Sequence, residues 1–291
     1  MEKLKTYWRE SVVLALILSN LFVWVAVFRK EPSDLLHVYF LDIGQGDSIF
    51  IDSPAHGRIL LDGGPDRKVL TELGKILPFG DRRIDVMIES HPDADHIGGL
   101  PEVITQYGVG AFLEPGVESP NKVDDELHAR IKKKNIPDIL ARRNMVVDFG
   151  DGAQLVILFP NQDVSAWDTN DASIVAKLVY GNESFLLTGD STKKAEYILL
   201  GLDASSLKSS VLKAGHHGSK TSTSVPYAQA VLPEYAVISA GKDNKYGHPN
   251  KETLDTLTAL GTEILATEDR PGLGGLGTIE FETDGKSLVV K

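Results

Sequence analysis

The sequence predicts an α/β fold carried by one domain over residues 36–291. Three observations lead there. Apolar runs of strand length come first, then alternate with segments of helical spacing. No Pro/Gly/Ser linker divides residues 36–291. Strand ends repeatedly deliver an acid or an imidazole, at Asp62, His91, Asp190 and His216, which is what an active site at a sheet edge requires.

Glu31-Pro32-Ser33-Asp34 reads as a short polar linker. Leu36 to Leu41 is a first strand and ends in the Gly-rich turn Asp42-Ile43-Gly44-Gln45-Gly46-Asp47-Ser48. Ser48 to Ile51 and Arg58 to Leu61 follow as strands, the second running into Asp62-Gly63-Gly64-Pro65. Arg67 to Leu77 has helical spacing through Val69, Leu70, Leu73, Ile76 and Leu77. Ile84 to Ile88 is a buried strand. Leu100 to Tyr107 is expected to be helical, Ala111 to Leu113 a strand, and Lys122 to Asn135 an exposed helix.

Further strands are expected at Gln154 to Phe159, Ser173 to Tyr180 and Ser184 to Leu187. Ser191 to Gly201 is a helix with Ser191 or Thr192 as its N-cap. Ser210 to Ala214 is a strand entering Gly215-His216-His217-Gly218-Ser219. A helix at Ser222 to Leu232, a strand at Tyr235 to Ser239 and a helix at Lys251 to Leu260 come next. Gly277 to Glu282 and Ser287 to Val290 form a hairpin around Thr283-Asp284-Gly285-Lys286.

Composition excludes several chemistries. With 291 residues, 42% of them hydrophobic, the chain can build one large core or two modest ones. It has no cysteine, so disulfides, thiolate zinc sites and cysteine nucleophiles are out, and any metal rests on His, Asp and water. The net charge is −11; beyond residue 31, 25 Lys/Arg face 38 Asp/Glu, or −13. Such a body does not bind nucleic acid through bulk charge, so a phosphodiester substrate would need bound cations or local patches. Residues 122–143 carry seven Lys/Arg and four Asp/Glu, read as a solvated helix face, with Arg142-Arg143 near a site mouth as the functional alternative.

Ser11 to Phe28 is the one long apolar run. Lys3, Lys5 and Arg9 precede it and Arg29 and Lys30 close it. Residues 1–30 are therefore expected to be an N-terminal transmembrane anchor or signal segment. Val25-Ala26-Val27-Phe28-Arg29 is a poor cleavage site, which favours retention. The flanking charges place the catalytic body outside the cytoplasm.

The chemistry concentrates in His91-Pro92-Asp93-Ala94-Asp95-His96, on a loop between a strand and a helix, where scaffolds place reactive groups. Imidazole and carboxylate together suit zinc, manganese or iron. Asp190 ends a strand that can lie beside this loop, where its carboxylate could bridge two ions. His216 ends the next strand. Two ions about 3.5–4 Å apart can share a hydroxide and clamp both the attacking and leaving oxygens of a phosphoryl centre.

Phe40-Leu41-Asp42-Ile43-Gly44-Gln45-Gly46-Asp47-Ser48, Leu60-Leu61-Asp62-Gly63-Gly64 and Ser90-His91-Pro92-Asp93-Ala94-Asp95-His96-Ile97-Gly98-Gly99 occur in order. Leu186-Leu187-Thr188-Gly189-Asp190, Lys213-Ala214-Gly215-His216-His217-Gly218-Ser219 and Tyr246-Gly247-His248-Pro249 follow. This ordered set resembles the metallo-β-lactamase superfamily, in particular the C-terminal metallohydrolase domain of the ComEC competence proteins. The resemblance covers residues 36–291. It implies an αββα four-layer sandwich, two mixed β-sheets flanked by helices, with a binuclear centre at the sheet edges. It implies two divalent ions, Zn or Mn. Asp95, His96, Asp190 and His216 would hold one, and His91, Asp93 and Asp190 the other. Asp62 and His217 would orient ligands from behind. Asp95 and His248 would be the catalytic residues, His248 as proton donor.

Two departures from the family pattern matter. Asp93 stands where a second His is commoner, which tilts the site toward harder ions. The isolated His of the third motif is absent; between residues 97 and 215 the sole His is His128, on an expected helix. Asp171 or water would complete that shell. The ComEC channel is polytopic, whereas this chain has one apolar run, so a hydrolase domain on an anchor is expected.

The functional expectation is a phosphodiesterase or nuclease of ComEC type, acting on single-stranded DNA or another phosphodiester. The alternatives are a lactonase- or lactamase-like hydrolase of carbon esters or amides, a phosphodiesterase on a small or lipid head-group substrate, and a metal-bound module without activity.

Overall fold

The computed structural model describes residues 7–28, 35–242, 244–268 and 274–291. The chain divides into an N-terminal unit ending at Ser33 and a body from Asp34 to Lys291. The N-terminal unit contains helix α1 (Trp8–Phe28). Its start carries Arg9 and Glu10, and its centre is interrupted by Ser19 and Asn20, whose amide donates to the Leu16 carbonyl at 3.1 Å. Among the described residues no helix is long and apolar enough to cross a membrane. The membrane anchor expected at 11–28, and the extracytoplasmic placement that rested on it, are therefore without structural support.

In the body, strands form two mixed sheets. The first has eight strands, ordered β15-β14-β1-β2-β3-β4-β5-β6. These are β1 (Leu36–Phe40), β2 (Ile49–Asp52), β3 (Arg58–Leu61), β4 (Arg83–Ile88), β5 (Gly108–Glu114), β6 (Asp138–Leu140), β14 (Ile279–Thr283) and β15 (Leu288–Val290). The second has seven, ordered β13-β12-β11-β10-β9-β8-β7. These are β7 (Val146–Asp148), β8 (Ala153–Phe159), β9 (Val175–Tyr180), β10 (Glu183–Leu187), β11 (Val211–Lys213), β12 (Tyr235–Ile238) and β13 (Glu263–Ala266).

Side-chain alternation builds the layers. Leu36, Val38 and Phe40 of β1 face the second sheet, together with Ile49 and Ile51 of β2. Phe185 and Leu187 of β10 and Ala176 and Leu178 of β9 meet them from the other side. Phe281 stitches the sheets, edge-on to Phe40 at 5.8 Å, Phe185 at 5.7 Å and Tyr235 at 5.6 Å between ring centres. Each such buried side chain stabilises the fold by about 1.5–3 kcal/mol. Tyr39, Phe50 and Leu60 point the other way, onto helices α2 (Lys68–Ile76), α4 (Leu100–Gln106) and α5 (Lys122–Lys134). Leu186, Leu212 and Ala236 do the same on the second sheet, under α6 (Lys193–Asp203), α7 (Val225–Val231) and α8 (Lys251–Ala259). Two mixed sheets flanked by helices match the expected sandwich.

Parallel pairing decides where the chemistry lies. β3, β4 and β5 run parallel in one sheet, β10, β11 and β12 in the other. Loops leaving the carboxyl ends of parallel strands are where α/β folds bind ligands. Asp62 follows β3, His91 follows β4, Asp190 follows β10, and His216 and His217 follow β11.

Most expected elements are present. β6, β7 and β13 are not among the expectations, being three or four residues long. β9 opens at Val175, not Ser173, because Asn170–Ala172 form a single 3₁₀ turn. Thr192 caps α6, its side chain accepting from the Lys194 amide.

Candidate metal centre

The loop after β4 contains a one-turn helix, α3 (Ala94–Ile97), with Asp93 in extended geometry at its N-cap. The turn after β1 packs directly on it. Gly46, at φ +120°, sits where a Cβ would lie 1.9 Å from the Asp95 carbonyl oxygen, so a side chain there cannot be accommodated. Next to it, the Asp47 amide donates to that same carbonyl at 3.3 Å. On the second sheet, Gly189 turns the chain at φ +50° against Ser90 and lets Asp190 reach inward.

Four histidines converge, each with one ring nitrogen already occupied. Nδ1 of His96 lies 2.8 Å from Asp62 Oδ2. Nδ1 of His91 lies 3.0 Å from Ser90 Oγ, which itself donates to Asp62 Oδ2 at 2.6 Å. Nδ1 of His217 lies 2.8 Å from the Ser239 carbonyl, and Nδ1 of His216 lies 3.2 Å from Thr221 Oγ1. Partners of this kind fix the tautomer and orientation of a ligating ring.

The opposite nitrogens face carboxylates. Nε2 of His96 is 3.3 Å from Asp190 Oδ1. Nε2 of His217 is 3.3 Å from Asp190 Oδ2 and 3.4 Å from Asp95 Oδ2. Nε2 of His216 is 3.6 Å from Asp190 Oδ2, and Nε2 of His91 is 3.6 Å from Asp93 Oδ2. Of these atoms, Nε2 of His91, His96 and His217 and Oδ1 of Asp190 are buried and make no hydrogen bond among the described residues. Buried polar atoms without partners are rare because they cost free energy. Several converging on one point fit divalent cations.

The charge fits as well. Asp47, Asp62, Asp93, Asp95 and Asp190 against the single ammonium of Lys213 give five minus one, a formal −4 that two divalent ions balance. Lys213 is fully buried, paired with Asp47 Oδ2, donating to the Gly189 carbonyl at 2.9 Å and lying 3.6 Å from Asp190 Oδ1. Burial opposes charge on Asp47 and Asp190, yet Lys213 holds the first, and His217 and His96 the second, below the usual carboxylate range. Asp95 is likewise held low: burial opposes its charge, and the His217 and His96 rings outweigh it. Burial would lower His96 and His217, but Asp190 outweighs it and both are raised. A bound cation would take over that positive charge and displace the ring protons.

A family model described as the Metallo-beta-lactamase superfamily matches residues 41–242. The chain belongs to the metallo-β-lactamase superfamily. It is 31% identical over 278 residues to ComE operon protein 3 of Bacillus subtilis, covering 90% of this chain and 34% of that protein. It is 32% identical over 246 residues to the competence protein ComA of Neisseria gonorrhoeae, covering 83% and 32%. The chain thus spans about a third of the length of these curated relatives. Among solved structures, Igni18, a metallo hydrolase from Ignicoccus hospitalis, superposes with a TM-score of 0.52 at 17% identity, covering 85% of this chain and 99% of that one. The metallo-β-lactamase fold protein YhfI of Bacillus subtilis does so at 0.52 and 14%, covering 80% and 96%.

Within this metallo-β-lactamase fold, His91, Asp93, Asp95, His96, Asp190 and His216 all come together. His217, expected behind the ligands, instead has its Nε2 among the convergent atoms. Residues 216 and 217 both adopt left-handed backbone, at φ 48° and 54°, which turns two adjacent side chains toward the centre. His216 is 24% exposed at the rim; His217 is buried. Asp171 is not in the centre: it accepts from Thr192 Oγ1 at 2.5 Å and pairs with Lys194 at 3.1 Å. Its neighbour Asn170 lines the cavity instead, with Gln45, Tyr246 and His248. That cavity holds about 220 Å³.

Asp47, Ser90 and Lys213 lie in the motifs that carry the family resemblance but are not among the expected site residues. A signal for Lys213 existed: it is the one charge in the buried strand Val211-Leu212-Lys213, where an unpaired ammonium would be costly. His248 lies at the mouth, its ring 5.4 Å from that of His216 and stacked on Tyr246 at 5.7 Å. It does not cap α8, whose N-cap is Asn250. Asn244 clamps its backbone, accepting from the His248 amide at 3.0 Å and donating to its carbonyl at 2.8 Å. Arg142 and Arg143 spend their guanidinium groups on the carbonyls of Pro115, Ala141 and Leu158, away from this mouth.

Proposed function

We propose that the chain is a metal-dependent phosphodiesterase holding two divalent ions, Mn or Zn, with single-stranded DNA as the substrate class its competence-named relatives favour. The observation that carries the reading is the set of Nδ1-anchored histidines: the Nε2 atoms of His96, His216 and His217 converge on Asp190, and that of His91 faces Asp93. His96, His217, Asp95 and Asp190 would hold one ion. His91, Asp93, Asp190 and His216 would hold the other. When bound, such ions lower the pKa of water and stabilise charge developing on a phosphoryl oxygen. Asp190 would contribute to both positions, and Asp62 with Ser90 keeps the rings of His91 and His96 aimed. Balanced by two cations, the −4 centre is neutral toward an anionic phosphodiester. A carbon-ester substrate has no comparable support: Asp93 offers a hard oxygen ligand, and the cavity is lined by polar groups.

His248 is the proton donor to the leaving oxygen. It stands at the mouth, outside both ligand sets. The test compares His248→Ala and Asp190→Ala with wild type in elemental analysis and turnover. Asp190→Ala should lose most of both ions. His248→Ala should keep them, yet cleave an oligonucleotide about 10²–10⁴-fold more slowly, the range of a general acid. A nitrophenyl phosphodiester, whose leaving group needs no proton, should largely rescue it. A wild-type chain that retains no transition ion, or one that cleaves lactones and no phosphodiester, overturns the reading.

A further inference from the structure

We propose a second cation site, apart from the centre above, built from Glu89, Asp124 and His128 and taking a first-row divalent ion such as Mn²⁺ or Zn²⁺. Ligand atoms of these three residues lie within 4.8 Å of one another. Glu89 follows β4 and is fully buried, and neither of its carboxylate oxygens makes a hydrogen bond among the described residues. Asp124 is buried on α5. Its Oδ2 accepts from the Ser119 amide at 3.0 Å, while its Oδ1 makes no hydrogen bond.

His128, one turn further along α5, closes the set. Nε2 lies 3.4 Å from Asp124 Oδ1 and 3.9 Å from Glu114 Oε2. Nδ1 lies 3.6 Å from Asp138 Oδ2, and the ring meets the Phe112 ring edge-on at 5.9 Å. Asp138 therefore stands behind the ring as a carboxylate stands behind a metal-bound imidazole, leaving Nε2 to face the acids. Carboxylates with one imidazole select manganese or zinc over calcium.

Charge argues the same way. Glu89, Asp124, Glu114 and Asp138 gather four carboxylates around one imidazole. An unpartnered buried carboxylate is costly, and Glu89 is fully buried with both oxygens lacking a hydrogen-bond partner among the described residues. Arg142 lines the same space but is occupied by the carbonyls of Pro115 and Ala141. The neighbouring cavity, about 690 Å³ and bounded by Glu114, Asp124 and His128, gives an ion access. A cation here would pin α5 to the end of β4, two residues before His91. The amide of Asn121 already joins the same parts by donating to the Pro92 carbonyl at 2.6 Å.

The test counts Mn²⁺ per full-length chain by elemental analysis after gel filtration, with thermal unfolding alongside. Glu89→Gln and His128→Gln should each bind one ion fewer than wild type. Asp190→Ala should keep that ion and its Mn²⁺-dependent rise in Tm; adding Glu89→Gln should abolish the rise. Asp138→Asn should weaken the site about 10–100-fold. Glu89→Gln preserves shape, so it decides the matter should His128→Gln fail to fold. Equal ion counts in wild type and both variants, or a Tm rise that survives Glu89→Gln in the Asp190→Ala background, overturn the proposal and leave His128 as a protonated partner of the acids. Failure of the catalytic reading shows separately, as a total ion count that Asp190→Ala leaves unchanged.

Discussion

Replacing Lys213 by Met tests the charge arrangement at the centre of the fold. The methionine keeps the length of the side chain and removes the ammonium. Three interactions go with it: the pair with Asp47, the hydrogen bond to the Gly189 carbonyl at 2.9 Å, and the approach to Asp190 Oδ1 at 3.6 Å. Asp47 is then a carboxylate at 0% exposure without its ammonium. Removing one partner of a buried ion pair costs about 3–5 kcal/mol, most of it the penalty of the stranded charge. At about 2–4 °C per kcal/mol for a domain of this size, Tm should fall by roughly 6–20 °C. The assay is thermal unfolding followed by circular dichroism at pH 7 in chelator, so that ion binding does not contribute. In an Asp47→Asn background no charge is stranded, and Lys213→Met should cost clearly less. A fall in Tm below about 2 °C, or losses that simply add in the double variant, refutes the reasoning; contacting pairs of this kind couple by about 0.5–3 kcal/mol.

Gly46→Ala should cost more stability than a surface substitution, because its Cβ would meet the Asp95 carbonyl at 1.9 Å and its φ of +120° is a conformation that L residues avoid. Urea unfolding should show the loss, and elemental analysis should show fewer ions retained as Asp95 is displaced. Asp81 accepts from Arg58 Nη1 at 2.7 Å, and this bond holds its carboxyl below the ordinary 3.8. Its contribution is therefore present above that pH and lost as pH falls through the lowered value. Asp81→Asn should be slightly less stable than wild type at pH 7, by under about 1 kcal/mol, because the Asp81 carboxylate is 35% exposed although Arg58 is buried. The difference should close as pH falls below 3.8 and through that lowered value; a gap that widens on acidification would rule this pairing out.

The fold was legible because its signals are local. β1 alternates in burial, β2 and β3 are short apolar runs buried throughout, and the turns after them carry Gly where backbones approach. β6, β7 and β13 escaped notice because they are short sheet-edge strands whose exposed positions break any apolar run, and their identity as strands comes from the neighbour they pair with. The ligand candidates were legible because they cluster in one hexapeptide and at strand ends. What stayed hidden depends on direction, not on residue type. Nothing in His216-His217 says which ring turns inward, since that follows from two successive left-handed residues. Asp47 lay in view within a Gly-rich turn, but its meeting with Lys213, across both sheets, is a tertiary fact. The expected membrane segment illustrates the converse: composition suggested a spanning helix at 11–28, and among the described residues no helix is long and apolar enough to cross a membrane.

The ligand candidates are split between the two sheets, with residues up to His96 on one and those from Asp190 on the other. Each half alone presents an incomplete set, so neither can hold an ion tightly. On the proposed reading, metal affinity would be a property of the docked sandwich and weak in the separated sheets or the unfolded chain. By mass action, free ion at a hundred times its dissociation constant would add about 2.7 kcal/mol to the assembled state. Intracellular or environmental metal supply would then set how long the two halves stay together, making the centre a clasp as well as a site of chemistry.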